Sequence, residues 1–222
     1  MNPVQKLLVE GENDRHVIAT LALVKGLPMP KGYEIKKKFD QEFITIGHGI
    51  DGIKKQIPTI LKMEGLTNFG IVLDADVNAQ SAWDSVGNIL LNAGFQDIPT
   101  IPTEIGTILL QEERPKVGVW IMPDNRNEGY LESFLKKMIP YDDKLVIRAE
   151  EIVQELIDNQ WNLFSLSKKT KAEIHTWLAW QTTPGMPMGM SLSAKYFDTN
   201  APSADIFITW LQQVFEFQNL SE

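Results

Sequence analysis

Two rhythms of apolar residues alternate through the first half of the chain, short continuous runs and helical spacings of three and four. Gln5 to Glu10 is a brief apolar run that ends in an acid, followed by Gly11. Val17, Ile18, Leu21 and Val24 then share one helical face, with Asn13 or Asp14 as the expected cap. A second strand is predicted over Glu42 to Ile46, ending in the turn Gly47-His48-Gly49. Asp51 is the expected cap of the next helix, which carries Ile53, Ile57, Ile60 and Leu61 and should bend at Pro58. Phe69 to Leu73 is apolar throughout, as a strand covered on both faces should be. It runs into Asp74-Ala75-Asp76, and Trp83, Val86 and Leu90 mark another helix. Strands alternating with amphipathic helices predict an α/β domain with a mostly parallel sheet and right-handed crossovers.

Beyond residue 99 the rhythm changes. Two extended segments are expected on either side of Glu112 to Pro115, the second being Val117 to Met122. Leu131 to Met138 opens a mainly helical tail, with Ile152, Val153, Leu156 and Ile157, then Ile174, Trp177 and Leu178, then Ile206 to Phe215. The segment TTPGMPMGMS has loop chemistry. A soft boundary near Tyr141 divides an α/β domain, 1–140, from a helical extension, 141–222, expected to pack on it.

Composition narrows the chemistry. A hydrophobic content of 43% supports a sizeable core. No apolar run approaches the roughly 20 residues that span a bilayer, and the N-terminus turns charged at once, which predicts a cytoplasmic protein without a secretory leader. With no cysteine and three histidines, a metal would sit mainly on oxygen, favouring Mg²⁺ or Mn²⁺ over zinc. The net charge of −8 argues against indiscriminate nucleic-acid binding. Lysine clusters at 36–38, 54–55, 136–137 and 168–171 are local exceptions, each read as well as a solvated face.

Ligands of open parallel sheets gather at the carboxyl ends of strands. Three predicted strands end there in acids: Glu10 with Asp14 close behind, Asp74 with Asp76, and Asp124 with Glu132. Strand alternation would put Asp74 and Asp76 on one face. Converging carboxylates repel one another unless a hard cation compensates them. Taken singly, Asp14, Asp51 and Asp84 are as well explained as caps or turn residues. Trp177, Trp180 and Tyr196 offer rings for base stacking, although helical spacing assigns both tryptophans to a core.

Two of these motifs carry a resemblance. LLVEGENDRHVI resembles the first motif of TOPRIM domains, and GIVLDADVN their Asp-x-Asp motif. The Gly47-His48-Gly49 turn and GYLESFL resemble the overcoming-lysogenization-defect (OLD) type nuclease branch of that family. The tail, with its PGMPMG segment, is similar to that of a bacterial family of uncharacterised TOPRIM-like proteins. The TOPRIM likeness covers residues 5 to about 135. It implies a Rossmann-like fold and metal-dependent phosphodiester chemistry on DNA or RNA, in nucleic-acid processing or phage defence. By position it implies Glu10 as ligand or general acid/base, Asp74 and Asp76 on one Mg²⁺ or Mn²⁺, and Asp14 and Glu132 on a second. It also implies an assisting lysine, for which Lys171, Lys169 and Lys136 are candidates and Lys171 is taken. There is no ATPase domain, so an energy-driven partner would be a separate protein; a homodimer is left open.

Other classes remain. Haloacid-dehalogenase phosphatases place Asp-x-Asp after the first strand, whereas here it follows the third. Nucleotide-sugar transferases also use Asp-x-Asp, and neither class accounts for Glu10-Gly11 and Asp14. A binding module without catalysis is compatible with the same fold.

Overall fold

In the computed structural model, which describes residues 3–32 and 42–218, five strands build one sheet. They are β1 (Val4–Val9), β2 (Ile44–Ile46), β3 (Leu66–Asp74), β4 (Thr107–Leu109) and β5 (Lys116–Met122), in the order β2-β1-β3-β5-β4. All neighbours run parallel except β4, which pairs antiparallel with β5. The mixed α/β class expected from the pattern is the class observed. The 36–38 lysine cluster lies outside the described residues.

Alternation along the strands feeds two cores. Leu8, Phe69, Ile71, Leu73, Val117 and Val119 face α2 (Ile50–Ile60) and α3 (Ala79–Asn92), burying Ile53, Ile57, Trp83 and Leu90. Leu7, Val9, Val72 and Trp120 face the opposite way, onto α1 (Glu12–Val24) and the C-terminal helices. Those are α4 (Leu131–Lys136), α5 (Lys144–Asp158), α6 (Lys169–Ala179), α7 (Met188–Ser193) and α8 (Pro202–Val214), and all contribute to this one core. Residues 141–218 thus complete a layer of the sheet. No helix among the described residues is long and apolar enough to cross a membrane.

Two glycines seat that layer. Gly70 and Gly118 are cross-strand neighbours and open a trough in the sheet. A Cβ on Gly118 would lie 2.2 Å from Val214, and one on Gly70 would lie 2.6 Å from Phe215. The buried Asn68 amide donates to the Val214 carbonyl at 2.7 Å. Buried Gln5 closes the end of the layer, donating to the carbonyls of Glu216 and Lys31, each at 2.9 Å, and accepting the Glu216 N–H at 2.8 Å.

Several local expectations are corrected. Gly11, not Asn13 or Asp14, caps α1, and Asp14 sits a turn inside. Gly49, at φ 92°, caps α2 in place of Asp51, because the turn needs a left-handed residue there. Pro58 stands inside α2, which ends two residues later. The Met-rich segment is not all loop: Met188–Ser193 forms α7, whose Gly189 lets it lie against the backbone of His16 on α1. Trp177 is core as expected, whereas Trp180 is 38% exposed.

Candidate functional site

The chain passes from β1 outward to β2, then returns to the far side of β1 as β3. Strand order therefore reverses between β1 and β3, where a parallel sheet leaves a crevice at its carboxyl edge. Glu10 follows β1 directly, and Asp74 is the last residue of β3. Glu10 accepts the Asp74 backbone N–H at 2.9 Å, which draws the two strand ends together.

Asp14 and Glu132 enter from helices and are nearly inaccessible, at 8% and 4% exposure. The Asp14 carboxylate folds back to accept the Gly11 N–H at 3.1 Å. A Cβ at position 11 would come within 3.3 Å of that carboxylate, so glycine makes room for it. Asp74 accepts the Leu131 N–H at 3.1 Å, at the start of α4, which brings the neighbouring Glu132 into the crevice. Lys171, from α6, donates to Glu132 at 2.9 Å.

The electrostatics follow from this crowding. Burial, reinforced by the charges of Asp14, Glu10, Glu132 and Asp76, pushes the Asp74 carboxyl up to about 9. Burial and repulsion by Glu10 and Glu132 push Asp14 up to about 7, against the hydrogen bond from Gly11. Glu10 is raised by burial and by Asp76, although the Asp74 N–H and Lys168 oppose the shift. Lys171 is held above its usual range, chiefly by its bond to Glu132.

Asp76 is a correction. β3 stops at Asp74, and Asp76 lies in a left-handed turn (φ 51°) with an exposed side chain. Its backbone pairs with Gly129 in both directions, at 3.1 and 2.8 Å. The turn, not strand alternation, brings its charge within reach of Glu10 and Asp74. Asp124 stands apart from these acids. Burial opposes its charge, but Lys137 and the N–H groups of Asn127 and Arg126 outweigh this and hold its carboxyl below the usual range.

The three candidate lysines meet different partners. Lys136 pairs with Glu150 and buried Glu173, each at 2.7 Å, and Lys169 donates to Gln154 at 2.6 Å. Lys171 alone of the three bonds to an acid of the crevice. Sequence reasoning passed over Tyr130; Lys168, noted only as part of the 168–171 cluster, has its ammonium 4.1 Å from the Tyr130 ring centroid. It also missed the Leu131 N–H, which a side-chain pattern does not reveal. His48 is exposed at φ 60°, on a turn bonded to β1 through Gly47 N–H to Val9 and Gly49 N–H to Glu10.

Among the described residues, no three Asp, Glu or His side chains stand close enough to ligate one ion as placed. One oxygen of Glu10, of Asp14 and of Asp74 is taken by a backbone N–H, and Glu132 is taken by Lys171. The donor chemistry, all hard carboxylate oxygen, nevertheless suits Mg²⁺ or Mn²⁺. A surface cavity of about 730 Å³ lies elsewhere, beside Ile101, Ile105 and Arg126, and none of the clustered acids lines it.

Fold and site together define a mostly parallel α/β protein with an acidic crevice at its strand-order reversal. The chain belongs to the family described as "Protein of unknown function (DUF3226)", whose model matches residues 4–216. No curated protein and no solved structure matches it.

Proposed function

We propose that this protein performs divalent-metal-dependent phosphodiester chemistry on nucleic acid, as a nuclease-like hydrolase. The observation carrying this reading is the meeting of Glu10, Asp14, Asp74 and Glu132 from four separate elements, with Asp74 pushed up to about 9. Acids so arranged destabilise one another at neutral pH unless protonated or covered by a cation. Glu10, Asp74 and Asp76, with Asp14 and Glu132, would hold Mg²⁺ or Mn²⁺. A bound ion of this kind supplies Lewis-acid polarisation of a phosphoryl oxygen and a nucleophile at neutral pH.

The chain's own residues supply the setting. Lys171 brings a fixed positive charge against Glu132, and the start of α4 fixes the Asp74 carboxylate through Leu131. Support for nucleic acid as substrate comes from the TOPRIM-like motifs around Glu10 and Asp74, and from the Lys168 and Lys171 ammonium groups beside the acids. The phosphatase and sugar-transferase readings leave Glu10 and Asp14 without a role.

The test is cleavage of labelled single- and double-stranded DNA and RNA with Mn²⁺ or Mg²⁺, alongside calorimetric titration of Mn²⁺. Asp74→Asn is expected to abolish cleavage and weaken Mn²⁺ binding while the far-ultraviolet dichroism stays native. Wild-type protein inert on all four substrates with both metals would overturn the reading.

A further inference from the structure

The acids border a second feature, on the face of the sheet away from Lys171. A cleft of about 260 Å³ opens between α2 and α3. Lys54 lines the α2 wall, Ser81 and Ser85 line the α3 wall, and Asp74, Asp76 and Asn78 form its floor. Asp74 is therefore shared between the cleft and the acidic crevice.

Lys54 differs from the other lysines around this edge of the sheet. Lys136, Lys137, Lys169 and Lys171 each salt-bridge an acid. Lys54 is half-buried and forms no ion pair among the described residues, so its ammonium remains available to the cleft. Opposite it, Asn78 caps α3 through the Ser81 N–H at 2.9 Å, which leaves the Asn78 amide and the Ser81 hydroxyl on the wall of the same space. A cation, a serine hydroxyl and an amide around one cleft make a seat for an anion with hydrogen-bond acceptors on several sides. The volume accommodates one sugar-phosphate unit.

We propose that this cleft seats a phosphate of the substrate next to the one handled at the acids, with Lys54 as its counter-ion and the Ser81 hydroxyl and Asn78 amide as donors. The proposal rests on the metal-dependent reading, because Asp74 and Asp76 at the floor repel any anion until a divalent ion covers them. Lys168 over the Tyr130 ring, together with Lys171, forms a second cationic flank on the α4–α6 side. The acids lie between the two flanks. A single nucleotide engages one flank, whereas a strand crossing the edge of the sheet engages both. The substrate class is thus a phosphodiester chain.

The test is anisotropy of a fluorescein-labelled single-stranded dodecanucleotide with Ca²⁺ as the cation, over a range of salt. Free thymidine 5′-phosphate serves as competitor. Lys54→Ala is expected to weaken strand binding about tenfold and to flatten the log–log salt slope by about 0.7, the share of one phosphate contact on a single strand. Lys55→Ala, on the exposed neighbour, is expected to bind as wild type, and Lys54→Arg to retain most of the affinity. Calorimetric Ca²⁺ binding should not weaken in Lys54→Ala. Loss confined to the strand supports a phosphodiester chain in the cleft; equal loss for the free nucleotide keeps the phosphate seat but overturns the chain as its source. If Lys54→Ala binds the strand with wild-type affinity and slope, the seat is overturned and the metal reading stands. If wild-type protein binds no strand with Ca²⁺, both fall.

Discussion

Glu10 takes the backbone N–H of Asp74, so the acid that closes the first strand is bonded to the residue that closes the third. Two acids far apart in sequence are thereby tied at the level of the backbone. Asp74 is in turn bonded to Leu131, which adds α4 to the same knot. The crowding of charge is a product of how the strands end, and its energetic signature is measurable.

Asp74→Asn should stabilise the metal-free protein at pH 8, the reverse of what loss of a buried native side chain ordinarily does. Asparagine still accepts the Leu131 N–H through its oxygen and need not take up a proton on folding, as Asp74 must at pH 8 among Asp14, Glu10 and Glu132. The gain should be several kcal/mol, roughly 1.4 kcal/mol for each pH unit between the unfolded carboxyl range and pH 8. Urea denaturation with EDTA measures it, and a destabilised variant would contradict the crowding.

Stability should also depend on pH with an unusual sign. Asp14 and Asp74 hold protons up to about 7 and about 9 in the folded chain, against ordinary values near 4 when unfolded. Between those limits the folded state binds more protons, so the contribution of these two groups is fullest below about pH 4 and is lost progressively as pH rises through about 7 and about 9. Mn²⁺ should raise the melting temperature more at pH 8 than at pH 5.5. Scanning fluorimetry across that range decides it; a flat profile without metal counts against the argument.

Lys171→Ala should destabilise the fold by about 1–2 kcal/mol, since it strips the ammonium from a Glu132 side chain that is 6% exposed. Adding Glu132→Gln should recover most of that loss, because the stranded charge is gone. A double-mutant cycle by chemical denaturation gives the coupling, and additive effects would show that the two groups act independently.

Gly118→Ala should cost about 1–3 kcal/mol by overpacking, as its methyl meets Val214. Val214→Ala in the same chain should restore part of the stability, whereas Val214→Ala alone leaves a hole and destabilises. Thermal melts of the three variants test whether α8 is fitted to the trough.

Much of this architecture is legible in the residues. The runs ending at Val9 and Asp74 are too apolar for anything but covered strands, and the acids after them read as an edge. What escapes a pattern is whatever the backbone does beyond a strand. Asp76 looks like the alternate partner of Asp74, but Ala75 leaves the strand and the turn to Gly129 decides where Asp76 lies. Lys171 is indistinguishable from Lys136 and Lys169 until α6 is laid against α4, because only tertiary packing sorts which acid each one meets. Gly70 and Gly118 read as weak points of strands, yet they are where Phe215 and Val214 enter.

The clasp between Gln5 and Glu216 has a consequence for how the protein comes to life. While translation has yet to reach residue 216, the Gln5 amide lacks two of the bonds that satisfy it, and the trough over Gly70 and Gly118 stands open. A nascent chain emerging from the ribosome carries every acid of the crevice long before it can close the sheet beneath them. Maturation of the site thus waits on residues synthesised long after its acids, and a chain released before residue 216 has the ligands without the scaffold that gathers them.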